Sequence, residues 1–451
     1  MNANIFREYD IRGVADRDMP DAFVADLGRA IGTFLTRKGA SKIALGRDCR
    51  LSSPRLWKHL REGLLETGMH FVDLGVVPTP LMYFAVFHYD LDGGVQITGS
   101  HNPPDDNGFK LMAGKNTLYG EDIQALHTLI TQQDFELADQ GRVETVDALP
   151  AYAGFMKGNI QLGSRRLRFA VDAGNGAGGP TALAAMRSVG LEPDAMYCTM
   201  DGTFPNHHPD PSLPENLAEL IDRVVSNKYD LGIAYDGDAD RIGVIDAKGN
   251  IIWGDQLMII LSRAVLKQHP GAPIISEVKA SQSLYDDIQR HGGRPILWKT
   301  GHSLIKKKMK EEHALLAGEM SGHIFFADRY YGFDDAIYAS LRLLEILSLD
   351  ARPLHDMLEG VPVTHATPEI RVDCPDEVKF RVVAAVKEHF NRDHDVIDID
   401  GARILFDSGW GLVRASNTQP VLVLRFEAQS PTELESIRNQ VLRVVNQHLP
   451  Q

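Results

Sequence analysis

Cysteine is scarce: the 451 residues hold only Cys49, Cys198 and Cys374, an odd, scattered set with no C-x-x-C spacing. That excludes a disulfide framework and a thiolate zinc site, and it makes a reducing cytoplasm the expected setting. Positive charge is also in deficit. Against 61 Asp and Glu stand 47 Lys and Arg, a formal net charge of −14, and no basic cluster is interleaved with aromatics. A general nucleic-acid surface is therefore excluded, and any anionic ligand has to be captured locally. No apolar run approaches the ~20 residues that cross a bilayer. The opening MNANIFREYDIRG carries charges where a signal peptide needs an apolar core, so the chain reads as neither membrane-spanning nor exported. Low-complexity sequence is missing too, and the Pro-rich FPNHHPDPSLPEN is short enough to be a structured connection.

What is present is an ordinary globular composition, 43% hydrophobic, and a length that suggests about three or four domains. Short apolar runs, each followed by a polar or Gly-rich turn and then a helical pattern, recur as KIALGRDCRLS, RFAVDAGNGAGG, LGIAYDGDADR and PIISEVKASQS. Such strand–loop–helix units are the signature of α/β domains, and their polar loops at strand ends suggest convergence on one site. After about residue 364 the pattern changes to strands around ILFDSGWGLVRASNTQPVLVLRFEA and a helix with Leu434, Ile437, Val441 and Val444 on one face, an α+β tail domain.

Two stretches hold the strongest chemistry. In TGSHNPPDDNGFK, starting at Thr98, the preceding run GGVQIT reads as a strand, and Pro103, Pro104 and Asn107-Gly108 oppose helix or sheet immediately afterwards. Ser100 is thereby presented at a strand's carboxyl end, the edge where open α/β sheets bind ligands, although serine is also a common turn residue. In DGDADR, at the end of LGIAY, Asp236, Asp238 and Asp240 stand at period two, which in an extended segment directs three carboxylates to one side. Crowded like charge needs a cation, and oxygen-only ligands that leave room for water and phosphate suit Mg²⁺. An EF-hand would need Gly and Glu where Arg241 and Ala247 stand.

Other stretches read more weakly. GNGAGG, residues 174 to 179, matches G-x-G-x-x-G with Asp201 farther on, but glycines in a tight strand-to-helix turn have steric reasons of their own and no second dinucleotide-binding half is visible. RASNTQP crowds Arg414, Ser416, Asn417 and Thr418 into one loop, a donor set that suits a phosphate as well as a self-satisfied turn. The run Lys306-Lys307-Lys308 reads as a solvated helix face, and His207 and His208 as loop packing.

Together TGSHNPPDDNGFK, DGDADR, GEMSGH and RASNTQP, in this order and over essentially the whole chain, resemble the α-D-phosphohexomutase family, most closely its bacterial phosphomannomutase/phosphoglucomutase branch; FREYDIRG near the start adds to the likeness. The resemblance implies three similar α/β domains and a smaller C-terminal α+β domain around a central cleft, divided here as 1–148, 149–252, 253–363 and 364–451. It implies a mutase that moves a phosphoryl group between Ser100 and a hexose phosphate, through a hexose 1,6-bisphosphate that turns about without leaving. By the same resemblance Mg²⁺ is held by Ser100, Asp236, Asp238 and Asp240, with Arg241 and Lys110 as further positive charge. Arg12, His101, Lys110 and His323 are its candidate acid–base groups. Tyr9, Lys279 and His302 line the cleft, Glu319 and Ser321 grip the sugar 3- and 4-hydroxyls, and Arg414, Ser416, Asn417 and Thr418 hold the distal phosphate. A grip that ignores C2 implies use of both glucose and mannose phosphates. A phosphoglucosamine mutase would be expected to differ in the sugar loop and to carry a glycine-bearing phosphate loop, in place of Met320 and Asn417. A metal-dependent sugar phosphatase would admit water to the phosphoserine, and a non-catalytic phosphosugar-binding protein would need neither Ser100 nor the three aspartates. The expected partner is a small phosphosugar, with no nucleic acid or membrane, for a monomer or weak homo-oligomer.

Overall fold

The loops TGSHNPP, DGDADR and GEMSGH each lie between a strand in parallel pairing and an antiparallel return strand, and this shared plan sets the architecture. The computed structural model describes residues 2–139, 141–417 and 419–449. In the first sheet the order is Ile11–Val14, Asp106–Ala113, Gly93–Ile97, Lys42–Arg47, His70–Val76 and Val143–Thr145, with Asn116–Thr117 paired to Asp106–Ala113. Gly93–Ile97 runs parallel to Lys42–Arg47 and antiparallel to Asp106–Ala113. The second sheet repeats the device: Leu231–Tyr235 is parallel to Phe169–Asp172 and antiparallel to Ile242–Asp246. In the third, Leu316–Gly318 is parallel to Pro273–Glu277 and antiparallel to Ile324–Phe326. The three turns that result hold Ser100, the triple aspartate and Glu319.

Two sequence expectations change here. LGIAYDGDADR is followed by a strand, because Ile242–Asp246 alternates into the core as a hairpin partner. Asn107-Gly108 lies inside the strand that begins at Asp106, where it pairs with Gly13 and Arg12. Glycine is required at position 108 because a Cβ there would strike the carbonyl of Ile11. Residues 98–105 remain outside any strand.

One buried apolar cluster runs through the first three units, from Tyr83 and Phe84 by way of Val171 and Ile233 to Ile274 and Leu344. Such a shared core makes them one support for loops contributed by different sheets. The last unit is an all-antiparallel sheet in which Val421–Ala428 pairs with Gly409–Ala415 and Ile370–Asp373. Its closing helix, Pro431–His448, buries Ile437, Val441, Val444 and Val445, and Ser430 caps it by accepting from the Glu433 amide. Arg403 pins this unit to the third: its buried guanidinium donates to the carbonyls of Val278 at 2.6 Å and Ala280 at 2.9 Å and lies 3.9 Å from the Trp410 ring centre. Among the described residues no helix is long and apolar enough to cross a membrane.

Candidate active site

Ser100 sits just past the end of Gly93–Ile97 with φ of +48°, a left-handed conformation that a non-glycine residue adopts only when its surroundings enforce it. The enforcing group is Arg50. Its buried guanidinium donates to four carbonyls of the loop, Ser100 at 2.7 Å, Asn102 at 2.6 Å, Pro103 at 2.5 Å and Asp106 at 2.9 Å, and pairs with Asp48 at 3.2 Å. Asp48 also accepts from the Gly99 amide at 3.1 Å. So held, Ser100 Oγ donates to Asp236 Oδ2 at 2.7 Å and lies 3.0 Å from His101 Nδ1. Gly237 lets the two loops meet, since a Cβ there would strike the Ser100 carbonyl.

The three aspartates converge by a route other than extended alternation. Residues 236 to 241 form a compact turn with Ala239 at φ of +57°, and Asp236 Oδ1 accepts from the amides of Asp240 and Arg241, both at 3.1 Å. The GNGAGG loop packs beneath it: Ala177 N–H donates to the Gly237 carbonyl at 2.9 Å, and a Cβ on Gly176 would meet that same carbonyl. All three carboxylates are fully buried, with one oxygen of each within 4.8 Å of the others. Lys110 donates to Asp238 at 2.7 Å and also to Asp240, and Thr79 Oγ1 donates to Asp238. Even so, burial and then the charges of Asp240 and Asp238 push the Asp236 carboxyl well above its usual range. Burial opposes charge on Lys110, yet Asp238 and Asp240 hold its ammonium well above the usual range. Asp238 Oδ1 has no hydrogen-bond partner among the described residues. A buried, oxygen-only donor set that one lysine cannot neutralise fits a metal ion.

The third hairpin joins this cluster from the side. Arg241 and His323 form a bridge between the acidic turn and GEMSGH, with Arg241 Nε 3.3 Å from His323 Nε2. His323 Nε2 also lies 3.2 Å from Asp240 Oδ1, and its Nδ1 is 2.7 Å from Glu319 Oε2 and 3.0 Å from Ser321 Oγ. Burial is the largest influence and works against an imidazolium here, but Asp240 and Glu319 together overcome it and lift His323 to about 9. Glu319, likewise opposed by burial, is brought down to about 2 by His323 and by the Gly301 amide, which donates to Oε1 at 2.7 Å. His101 is different: burial, then Arg241 and Arg12, keep it well below the usual imidazole range. Arg12 donates to Asn102 at 2.7 Å and to Asp10 at 2.6 Å.

The remaining site residues form a belt joined to this cluster. The His302 ring centre is 5.6 Å from that of His323 and 5.9 Å from that of Tyr9. Tyr9 Oη donates to the Thr300 carbonyl at 3.0 Å and accepts from Asn417 at the same distance. Arg414 donates to Asp400 at 3.1 Å, and Asp400 accepts from the Thr300 amide at 3.0 Å. Ser416 Oγ accepts from the Gln419 amide at 3.2 Å; Thr418 lies outside the described residues. Lys279 faces Glu369 at 3.1 Å and Glu277 at 3.5 Å. Apart from Ser416, whose hydrogen bond from Gln419 stays within its own loop, the other described candidates from the sequence lie in one connected network, which Lys279 joins through Glu277 and its bond from Thr300 Oγ1. The sequence reading passed over Arg50 and Asp48, which stand in the quoted KIALGRDCRLS, and Asp334 and Asp400, for which no local pattern exists.

Comparison with known proteins agrees along the whole chain. Residues 3–137 match the phosphoglucomutase/phosphomannomutase alpha/beta/alpha domain I, 150–249 domain II, 253–364 domain III and 369–444 the C-terminal domain of that family. A phosphomannomutase/phosphoglucomutase of Pseudomonas putida is 47% identical over 446 residues, 98% of this chain and 96% of that protein. A phosphoglucomutase of Neisseria gonorrhoeae is 45% identical over 452 residues, 99% of this chain and 98% of that protein. The crystal structure of a phosphoglucomutase/phosphomannomutase family protein from Burkholderia thailandensis superposes with a TM-score of 0.94 at 40% identity, covering 100% of this chain and 99% of that one. With four domains matched in order and the loops converging on one acidic, serine-bearing cleft, the chain belongs to the α-D-phosphohexomutase family, in its bacterial phosphomannomutase/phosphoglucomutase branch.

Proposed function

We propose that this chain interconverts hexose 1-phosphates and hexose 6-phosphates of both glucose and mannose, passing a phosphoryl group between Ser100 and the sugar. The observation that carries the reading is the placement of Ser100 Oγ, held in a strained turn at 2.7 Å from a fully buried aspartate. Phospho-Ser100 donates its phosphoryl group to the free hydroxyl of a hexose 1-phosphate, forming the 1,6-bisphosphate. That intermediate turns about in the cleft and returns its other phosphoryl group to Ser100. Mg²⁺ is the cation we assign to Ser100, Asp236, Asp238 and Asp240; when bound it would neutralise charge on the phosphoryl oxygens. Arg241, Arg12 and Lys110 supply fixed positive charge around the same oxygens. Among the acid–base candidates, burial and neighbouring arginines weaken His101 as a base and the aspartates hold Lys110 firmly charged, so His323, at about 9 and protonated at neutral pH, is the group best placed to give a proton.

Glu319 and Ser321 are assigned to the sugar 3- and 4-hydroxyls, and Arg414, Ser416, Asn417 and Thr418 to whichever phosphate is distal, with Tyr9, Lys279 and His302 closing the walls. The four units are drawn as 1–148, 149–252, 253–363 and 364–451, each of which contains one complete sheet of the described residues. A cytoplasmic setting is part of this reading and fits three cysteines that are all free. The glucosamine alternative is not favoured, since the relatives at 45–47% identity are phosphoglucomutases and phosphomannomutases.

The test is a coupled assay on mannose 1-phosphate, glucose 1-phosphate and glucosamine 1-phosphate, primed with a hexose 1,6-bisphosphate. Turnover of the first two and little of the third is expected. Release of free phosphate at the rate of sugar turnover would identify a phosphatase instead.

A further inference from the structure

Within the lysine run that reads as a solvated face in the sequence, Lys307 is exposed as expected but Lys306 is not. Lys306 is buried, only 7% exposed, with Nζ 2.8 Å from Asp334 and 4.5 Å from the Tyr83 ring centre. Ser303, Lys306, Lys307 and Lys310 share one face of the helix His302–Glu312 at spacings of three, four and seven, and that face turns to a cavity of about 290 Å³ between the first and third units. Like charges at these spacings destabilise a helix; of the three lysines only Lys306 is buried, while Lys307 and Lys310 are exposed at the rim of the cavity.

Lys115 lines the opposite wall, but its ammonium is already held by Asp90 at 3.1 Å and by the carbonyls of Val86 and Leu91, so it adds no free cation; Asp122 is the one carboxylate among the described lining residues, itself paired with Lys38 at 3.2 Å. Neither Lys307 nor Lys310 forms an ion pair among the described residues; Lys310 donates to the Lys115 carbonyl and the Asn116 side chain, both at 2.6 Å. Ser303 Oγ is buried, lines the cavity and has no hydrogen-bond partner among the described residues. Aromatic rings form much of the remaining wall, beside Met112, Thr117 and Gly332: Phe87 stacks on Tyr331 with ring centres 4.9 Å apart, and Phe333 lies parallel to Tyr331 at 6.2 Å. Cations and an unpaired hydroxyl on one side of an aromatic slot recognise a molecule with an anionic head and a flat apolar body.

We propose that this cavity is a second ligand site, separate from the sugar cleft, that takes a small phosphomonoester with an aromatic body. The phosphate meets Lys307, Lys310 and Ser303, and the ring lies against Phe87 and Tyr331. Occupancy reaches the cleft through Lys306. Its partner Asp334 has its other oxygen 3.4 Å from His302 Nδ1, so a phosphate that draws Lys306 away frees Asp334 to pull on His302 and alters turnover.

Phenyl phosphate is the probe, titrated calorimetrically into the full-length protein saturated with glucose 1,6-bisphosphate. One saturable site is expected. Lys307→Ala/Lys310→Ala, which changes two rim residues, should weaken it at least about tenfold, the loss of one or two charge-assisted contacts, while leaving kcat without probe unchanged. Arg414→Ala should leave probe binding unchanged. In the wild type kcat should fall at least about twofold at saturating probe, and it should not fall in the double variant. No saturable binding, or binding abolished by Arg414→Ala, would overturn the second site. Inorganic phosphate binding as tightly as phenyl phosphate would overturn the aromatic class, and binding without any change in kcat would overturn the coupling through Lys306.

Discussion

Asn417 and Tyr9 stand 408 positions apart in the chain and share a hydrogen bond, with Asn417 Nδ2 donating to Tyr9 Oη at 3.0 Å. The same phenol donates to the Thr300 carbonyl, so one side chain ties the first, third and fourth units together across the mouth of the cleft. Burial raises its pKa far above the usual phenol value, which keeps the hydroxyl protonated and able to donate.

Tyr9→Phe keeps the ring and removes both hydrogen bonds. Global stability should fall by only about 1–2 kcal/mol, whereas amide exchange near Thr300 and Arg414 should rise and KM should increase more than kcat falls. Wild-type exchange and KM would show that the phenol is no latch.

Ser100→Ala deletes one hydroxyl and leaves the Arg50 clamp on the loop carbonyls intact, so the fold should persist. Turnover should drop by several powers of ten because the phosphoryl carrier is gone. Intact mass should show one phosphate lost relative to wild type primed with bisphosphate. A wild-type protein that yields no phosphopeptide containing Ser100 would refute the mechanism.

Asp238→Asn removes one anionic ligand while Lys110 keeps Asp240. Stability without metal should change little, but the rise in Tm on adding Mg²⁺, which follows the ratio of metal concentration to Kd, should shrink. Activity should return in part at high Mg²⁺. An unchanged Mg²⁺-dependent Tm shift would remove Asp238 from the metal site.

Glu319→Gln tests both the sugar grip and the buried pair with His323. The Glu319 carboxyl is depressed from 4.5 to about 2. Its contribution to stability is therefore present above pH 4.5 and lost as pH falls toward 2, and at pH 7 it is on the order of 2–4 kcal/mol. The gap in Tm between wild type and variant should narrow as pH is lowered from 7 to 3.5; a constant gap would contradict the pair. At pH 7, kcat/KM should fall for glucose and mannose phosphates alike, and selective loss of one epimer would show that Glu319 reads C2.

Much of the site was legible because its motifs are local. Ser100 follows a strand and precedes two prolines, and DGDADR concentrates charge that only a cation relieves. What misled was conformation: period two implied an extended run, while the structure uses a turn with Ala239 left-handed and backbone amides on Asp236. Composition could not reveal that Lys306 is buried, because its partner Asp334 and its neighbour Tyr83 are distant in sequence.

By itself, then, the chain's amino-acid order determined the strand-and-loop plan, the serine at a strand's end, the cluster of three aspartates and the donor-rich loop at Arg414, since each depends on residues a few positions apart. Only the tertiary structure decided which charges face one another. Arg50 gathering four carbonyls, His323 suspended between Asp240 and Glu319, and Tyr9 bridging to Asn417 all arise where separate sheets bring their loops together, and electrostatic interaction depends on distance in space, for which separation along the chain carries no rule.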